Sequence, residues 1–169
     1  HISLSTCGLV DKIERLAERN LQLTLSVSLH SPDNESRNKI MPVNKRWPVE
    51  QLLQACRDYF EKTGRRVTFE YSLVAGVNDS EEDAAQLSAL IDGINCHINL
   101  IPVNPIKERD FKKPDSKKAM EFQNKLEKNG INVTIRRERG SDIDGACGQL
   151  RRRYGAVKDE RPDEDICED

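Results

Sequence analysis

The chain has 169 residues, of which 33% are charged and 36% hydrophobic, and its formal net charge is −2. This length suits one ordinary domain with a sizeable core, and no apolar run approaches the roughly 18 residues that a membrane span requires. The five cysteines are scattered and never spaced as C-x-x-C, so they indicate neither a disulfide framework nor a zinc site but reduced thiols in a cytoplasmic protein.

Apolar residues repeat with the period of strands and of helices in turn. Asn20 and Gly64 suit helix ends, Pro48 suits a first helical turn, and Ser80 suits an N-cap followed by acidic residues. Residues 31–47 are predicted to form one long loop. The predicted elements are a strand at residues 1–6, a helix at 9–20, a strand at 21–30, a helix at 48–64, a strand at 65–76, a helix at 78–93, a strand at 96–104, a helix at 115–130 and a strand at 131–140.

The order of five strands and four helices predicts an α/β fold with right-handed crossovers and a parallel sheet. Five strands cannot close a barrel, so the pattern favours a partial, incomplete parallel (β/α) barrel. The chain begins at His1, already within an alternating pattern and without a methionine. We therefore expect a piece of a longer protein, with residues 1–150 as one catalytic domain segment.

Residues 151–169 are predicted to form a charged, disordered tail. The segment Lys158–Asp169 holds seven acidic and two basic residues, so it carries −5 and the rest of the chain carries +3. Such a composition is typical of a solvated end that buries no core. The body of the chain is thus mildly basic, although its basic runs are also consistent with ordinary solvated surface.

Polar residues follow the predicted strands at their carboxyl ends. In parallel α/β folds, ligand chemistry lies at that edge of the sheet. The pattern therefore predicts a polar pocket. The residues at this edge are Ser5, Thr6, Cys7 and Gly8 after the first strand, Ser28, Leu29 and His30 after the second, Gly76, Val77 and Asn78 after the third, Pro102, Val103, Asn104 and Pro105 after the fourth, and Asp142, Asp144 and Cys147 after the fifth.

Cys147 has only small neighbours, Gly145, Ala146 and Gly148, so nothing bulky shields its sulfur. A nucleophilic thiol needs a histidine, a cation or a helix N-terminus to lower its pKa, and His30 is a candidate on the same edge. A small cysteine packed under a loop explains the same pattern. From the residues alone, both interpretations remain open.

Three stretches together carry a family resemblance: "SVSLHSPDNESRNKIMPVNKRWPVEQLLQAC", "INLIPVNP" and "RRERGSDIDGACGQL". They resemble the radical S-adenosylmethionine (SAM) RNA methyltransferases that methylate adenine C2 of 23S ribosomal RNA and of certain transfer RNAs, the RlmN/Cfr family. The resemblance runs collinearly from about Ser3 to Leu150 and implies the carboxyl-terminal part of the catalytic barrel of a dual-specificity enzyme.

The resemblance implies roles for individual residues. Ser5, the stretch Ser28–Leu29–His30 and Asn104 resemble residues that bind SAM. Cys147 resembles the cysteine that is methylated and then passes its carbon to the RNA. Gly145 is a departure, since related sequences tend to have alanine there.

The resemblance also implies the chemistry of the full-length enzyme. One SAM methylates the thiol, and a second is cleaved at a [4Fe-4S] cluster to a radical that activates the S-methyl carbon for addition to adenine. A second cysteine then releases the product through a disulfide. The cluster motif C-x-x-x-C-x-x-C is missing from this sequence, so no metal ligand is predicted here and the chain by itself is expected to be inactive. The implied partners are 23S rRNA, tRNA and an electron donor, with no membrane, and a monomer is expected.

Three alternatives remain. The first is adenine C8 methylation by the same family, which confers antibiotic resistance. The second is a non-catalytic RNA-binding module whose basic runs follow phosphates. The third is a Cys-His hydrolase or transferase that needs no metal.

Overall fold

The structure is a computed structural model that describes residues 2–103 and 114–136. Within these ranges strands and helices alternate, as the periodicity predicts. The elements are β1 (Ile2–Thr6), α1 (Val10–Glu18), β2 (Leu23–Ser28), α2 (Asn34–Ile40), a 3₁₀ turn (Pro42–Lys45), α3 (Val49–Thr63), β3 (Val67–Leu73), α4 (Glu81–Leu90), β4 (Cys96–Pro102), α5 (Ser116–Lys128) and β5 (Asn132–Ile135). The predicted tail, residues 151–169, lies outside the described residues.

The five strands form one sheet in the order β1-β2-β3-β4-β5, and every neighbouring pair is parallel. Because each right-handed crossover moves one strand further in the same direction, the helices all cover the same side of the sheet. This is the arrangement of a part of a (β/α) barrel. It confirms the predicted fold class.

The predicted helix ends are confirmed by backbone geometry. Asn20 and Gly64 have positive φ angles of 45° and 64°. Ser80 and Asp83 form a capping box, in which the Asp83 N–H donates to Ser80 Oγ at 3.0 Å and the Ser80 N–H donates to Asp83 Oδ2 at 3.0 Å. These local signals were readable because each depends on only a few neighbouring residues.

The prediction of one long loop between β2 and α3 is wrong, because α2 and the 3₁₀ turn lie within it. Asp33 caps α2 by accepting a hydrogen bond from the Ser36 N–H at 2.7 Å. The only buried side chain of α2 is Arg37. Because α2 buries an arginine and has no apolar stripe, its sequence lacks the apolar periodicity by which helices are predicted.

The side of the sheet that faces the helices is apolar. Leu25 and Val27 of β2 and Ile98 and Leu100 of β4 point to this side and are fully buried. Tyr71 of β3 stacks on Phe122 of α5, with ring centroids 5.5 Å apart. Since strand side chains alternate between the two faces, this packing also fixes which residues point away from the helices.

The opposite side of the sheet is polar. In most (β/α)8 barrels the inward side chains are bulky and branched. Here every residue on that face except Ile101 has a polar side chain. The polar residues are Ser3, Ser5, Thr24, Ser26, Ser28, Thr68, Glu70, Ser72, His97, Asn99, Asn132 and Thr134. This polar face is the natural place for a hydrophilic ligand. No helix among the described residues is both long and apolar enough to cross a membrane.

Candidate active site at the carboxyl ends of the strands

Ser5 and Ser28 lie on the polar face, as expected from their strands. Ser5 is exposed and is the register partner of Ser26. Ser28 ends β2, and its Oγ donates to Glu70 Oε2 at 3.4 Å. Glu70, which the sequence interpretation did not single out, is half-buried and pairs in register with Ser28 and Asn99. Its place in the alternation of "VTFEYSL" is the signal that could have found it.

Leu29 takes a different position from its neighbours. Its side chain is fully buried in the apolar core. Its N–H donates to the Glu70 carbonyl at 3.0 Å, and its carbonyl accepts from Arg37 Nε at 3.0 Å. Both backbone groups are therefore in use, and the side chain does not belong to the polar face.

His30 follows β2 with a positive φ of 60°. Its Nδ1 accepts a hydrogen bond from the Ser72 N–H at 3.1 Å, and its carbonyl accepts one from Asn78 Nδ2 at 3.0 Å. Burial, and secondarily the charge of Arg37, lower the pKa of His30 to about 4. The imidazole is therefore neutral, with its proton on Nε2. In that state Nε2–H is available as a donor, and neither ring nitrogen is free to act as a base.

Asn78 is buried and holds the ends of β2 and β3 together. Its Nδ2 donates to the carbonyls of His30 and Ser72, and its Oδ1 accepts from the Val74 N–H at 2.7 Å. The sequence placed this asparagine among the polar residues of the pocket. The structure shows that its amide is used to shape the backbone beneath His30.

Two of the expected site residues, Asn104 and Cys147, lie outside the described residues. Within the described ranges, Cys7 is exposed and Cys56 and Cys96 are buried, all three as free thiols. Burial raises the pKa of Cys56 to about 12 and of Cys96 to about 11. No group of three His, Cys, Asp or Glu side chains in residues 2–103 and 114–136 is placed to hold a metal ion.

These differences predict selective alkylation. In mildly alkaline buffer, iodoacetamide should modify Cys7 and leave Cys56 and Cys96 intact, because burial hides both thiols and keeps them protonated. Peptide mass spectrometry before and after addition of denaturant measures the modification at each position. Fast modification of Cys56 in the native protein would contradict this burial.

A cavity of about 540 Å³ lies at the other ends of the strands. It is lined by side chains and backbone at the start of β3, β4 and β5 and the end of α5, among them Arg66, His97, Glu127 and Thr134. His97 Nε2 lies 2.9 Å from Thr134 Oγ1. The cavity lies towards the amino ends of the strands, where His97, Asn132 and Thr134 of the polar face line it, whereas Ser5, Ser28 and His30 lie at the carboxyl ends.

Comparison with known proteins supports the resemblance, although no family model matches the chain. It is 59% identical over 154 residues to the probable dual-specificity RNA methyltransferase RlmN of Lachnospira eligens and 56% identical to that of Desulforamulus reducens. Each match covers 91% of this chain and 44% of the relative. The chain thus spans less than half the length of the curated relatives it matches.

Solved structures give the same result. A radical SAM methyltransferase from Sphaerobacter thermophilus superposes with a TM-score of 0.85 at 47% identity, covering 88% of this chain and 43% of that one. A domain of pyruvate-formate lyase-activating enzyme from Bacteroides vulgatus superposes with a TM-score of 0.57 at 17% identity, covering 81% of this chain and all of that domain, and shares the fold alone. Over 91% of its length the chain thus matches the RlmN family of radical SAM methyltransferases, and it corresponds to a part of such a protein.

Proposed function

We propose that this chain is the carboxyl-terminal part of the catalytic barrel of a dual-specificity RNA methyltransferase that acts on adenine C2 of 23S rRNA and tRNA. The observation that carries the proposal is the polar face of the sheet, which ends at a histidine fixed as a hydrogen-bond donor. The relatives named as dual-specificity RNA methyltransferases support the choice of reaction.

The polar face fits SAM, which carries hydroxyls, an ammonium group, a carboxylate and an adenine ring. Ser5 and Ser28 offer hydroxyls, and Glu70 offers a carboxylate to ligand donors. His30 offers its Nε2–H to a ligand acceptor, and no described side chain uses that donor. We propose Asn104 as a further SAM contact, while Leu29 contributes by packing the end of β2 into the core.

When bound, SAM supplies the methyl group that Cys147 carries to the base. The small residues beside Cys147 allow its sulfur to meet first the cofactor and then an adenine. The adenine must leave its stack to reach a pocket at the edge of a sheet. Flexible RNA should therefore be a better substrate than a rigid duplex.

The [4Fe-4S] cluster that the family implies does not fit the described part of the chain. Cys56 and Cys96 are buried and protonated, and no three potential ligands converge. We therefore assign the cluster to other parts of the full-length enzyme. We also propose a cytoplasmic monomer that receives electrons from a separate donor and forms its disulfide only during turnover.

The neutral state of His30 argues against the Cys-His hydrolase alternative. A base that activates a thiol needs a free ring nitrogen at neutral pH. In His30, Nδ1 accepts the Ser72 N–H and Nε2 carries the proton. His30 is thus unable to withdraw the thiol proton of a cysteine in this arrangement.

Product analysis tests the proposed function. The full-length protein that carries this chain is incubated anaerobically with SAM, a chemical reductant and either a 23S rRNA fragment or a tRNA. Digestion to nucleosides and mass spectrometry against standards should show 2-methyladenosine from both RNAs. Formation of 8-methyladenosine would establish the C8 alternative, and RNA binding without any methylated product would favour a non-catalytic module.

A further inference from the structure

We propose that Arg37 is a positioning residue that holds the carboxyl ends of β1 and β2 in the geometry required for SAM binding. The inference rests on the proposed function, because it assigns the residue to the same site. Arg37 is fully buried in α2 and lies behind the polar face, so it acts through the strand ends and not by touching the ligand.

Arg37 bridges β1 and β2 where their ladder stops. Their last register pair is Thr6 and Val27. Beyond that pair the guanidinium provides the connection, since Arg37 Nη2 donates to the carbonyls of both Cys7 and Ser28 at 3.0 Å. A single side-chain nitrogen thus continues the pairing of the two strands by one further step.

The guanidinium reaches a third backbone position next to the fixed histidine. Arg37 Nε donates to the Leu29 carbonyl at 3.0 Å, directly before His30. The rigid planar fork of arginine can meet three carbonyls in fixed directions, whereas the ammonium of lysine is a point charge on a flexible stem. Ser28 and His30 are therefore positioned from behind by one side chain.

Asn44 fixes the remaining end of the guanidinium. Its Oδ1 accepts from Arg37 Nη1 at 2.8 Å, while its Nδ2 donates to Asn34 Oδ1 and Asn38 Oδ1, both at 2.9 Å. Since the two amide hydrogens are directed to those oxygens, the carbonyl end of Asn44 must face the arginine. The residues of α2 and the 3₁₀ turn thus form one frame around Arg37.

Gly8 leaves the space that the guanidinium occupies. It has a φ of +102°, and a Cβ at this position would lie 3.0 Å from Leu52 Cδ2 and 3.3 Å from Arg37 Nη2. A side chain at the end of β1 would be strained and would also press on the arginine. The turn after β1 is therefore shaped around Arg37.

The partners of Arg37 are unusual for a buried arginine. All four acceptors are neutral oxygens, and no described carboxylate forms an ion pair with it. A buried charge without a counter-ion is expensive, and the four hydrogen bonds offset only part of that cost. The uncompensated charge fits a role in the site, where it favours an anionic ligand group such as the carboxylate of SAM.

The experiment compares Arg37→Met, Arg37→Lys and Leu126→Ala in the full-length protein. Leu126 is fully buried in α5, so its truncation lowers stability far from β1 and β2. Calorimetry with SAM and with its inert product S-adenosylhomocysteine gives dissociation constants. Thermal unfolding gives stability, and methylation assays give kcat and KM separately.

We expect both Arg37 variants to raise the dissociation constant and the KM for SAM by about tenfold to a hundredfold, a range typical of misplaced binding groups. The kcat at saturating SAM should change much less. Leu126→Ala should lose stability without this change in affinity. If Arg37→Met cannot be purified folded, Arg37→Lys alone decides, because it keeps the charge and removes the fork.

The outcomes distinguish failure of the proposed function from failure of the positioning role of Arg37. Wild-type protein that does not bind SAM would contradict the proposed function itself. Wild-type binding together with unchanged affinity in the Arg37 variants would overturn the positioning role and leave the function standing. Full recovery of affinity by lysine, or an equal loss in Leu126→Ala, would also overturn it.

Discussion

Replacing Cys147 with alanine in the full-length protein is expected to abolish RNA methylation and to leave SAM binding nearly intact. The proposed task of Cys147 is to carry the methyl carbon, and alanine offers no atom that could accept it. Cys147→Ser should fail as well, since a neutral hydroxyl is a far weaker nucleophile than a thiolate. Methylated adenosine in digested RNA and SAM affinity by calorimetry measure the two parts of this prediction.

The matched control is Cys7→Ala. Cys7 is exposed, and the hydrogen bond it makes to Arg37 uses its backbone carbonyl, which the substitution keeps. Methylation should therefore remain close to the wild-type level. Mass spectrometry of the wild type should find one extra methyl group on the peptide that contains "GACGQL" and none on the peptides of Cys7, Cys56 and Cys96. Substantial methyl transfer by Cys147→Ala would mean that the thiol is structural.

A covalent adduct provides a second test of the same residue. If a second cysteine of the full-length enzyme releases the product, its replacement should trap protein joined to RNA through Cys147. Gel mobility after denaturation detects the adduct, and nuclease digestion followed by mass spectrometry locates it. Removal of Cys147 in the same background should abolish it.

The fold was predictable because alternation reports burial directly. Leu23, Leu25 and Val27 alternate with Thr24 and Ser26, and the structure places the first set in the core and the second on the polar face. The positions of Ser5 and Ser28 on one face follow from that alternation and from the parallel order. Local helix signals, such as the Ser80 cap, were equally reliable because they involve only near neighbours.

The buried residues that hold the strand ends of the site in place were not predictable, because their hydrogen bonds join positions far apart in the sequence. Arg37 bonds to Cys7, thirty positions earlier in the chain, and Asn78 bonds to His30, forty-eight positions earlier. No pattern in "NESRNKI" distinguishes a buried arginine from a solvated one. The neutral state of His30 likewise depends on burial by residues distant in the chain and on the charge of Arg37, so the sequence could suggest a histidine at the edge but not its protonation.

Replacing Asn78 with alanine is expected to destabilise the protein strongly. The change leaves the carbonyls of His30 and Ser72 and the Val74 N–H without their buried partner. Unsatisfied buried groups cost about 1–3 kcal/mol each, so the loss should be about 3 kcal/mol or more and should lower the Tm by roughly 6–12 °C. Thermal and denaturant unfolding measure it.

The same variant should also loosen the backbone at His30, because the Asn78 amide binds the His30 carbonyl and so holds that residue at its positive φ. In the wild type the pKa of His30 is lowered to about 4, so the neutral ring favours folding above the ordinary pKa of 6.5 and that contribution is lost as the pH falls towards 4. In Asn78→Ala the pKa of His30 should move back up, and NMR titration of the imidazole measures it.

The control variant is Asn129→Ala. Asn129 is exposed and makes a side-chain hydrogen bond to Ser88, so the free energy of unfolding should change by less than about 1 kcal/mol. An unaltered His30 titration in Asn78→Ala would show that Ser72 and burial alone fix the ring.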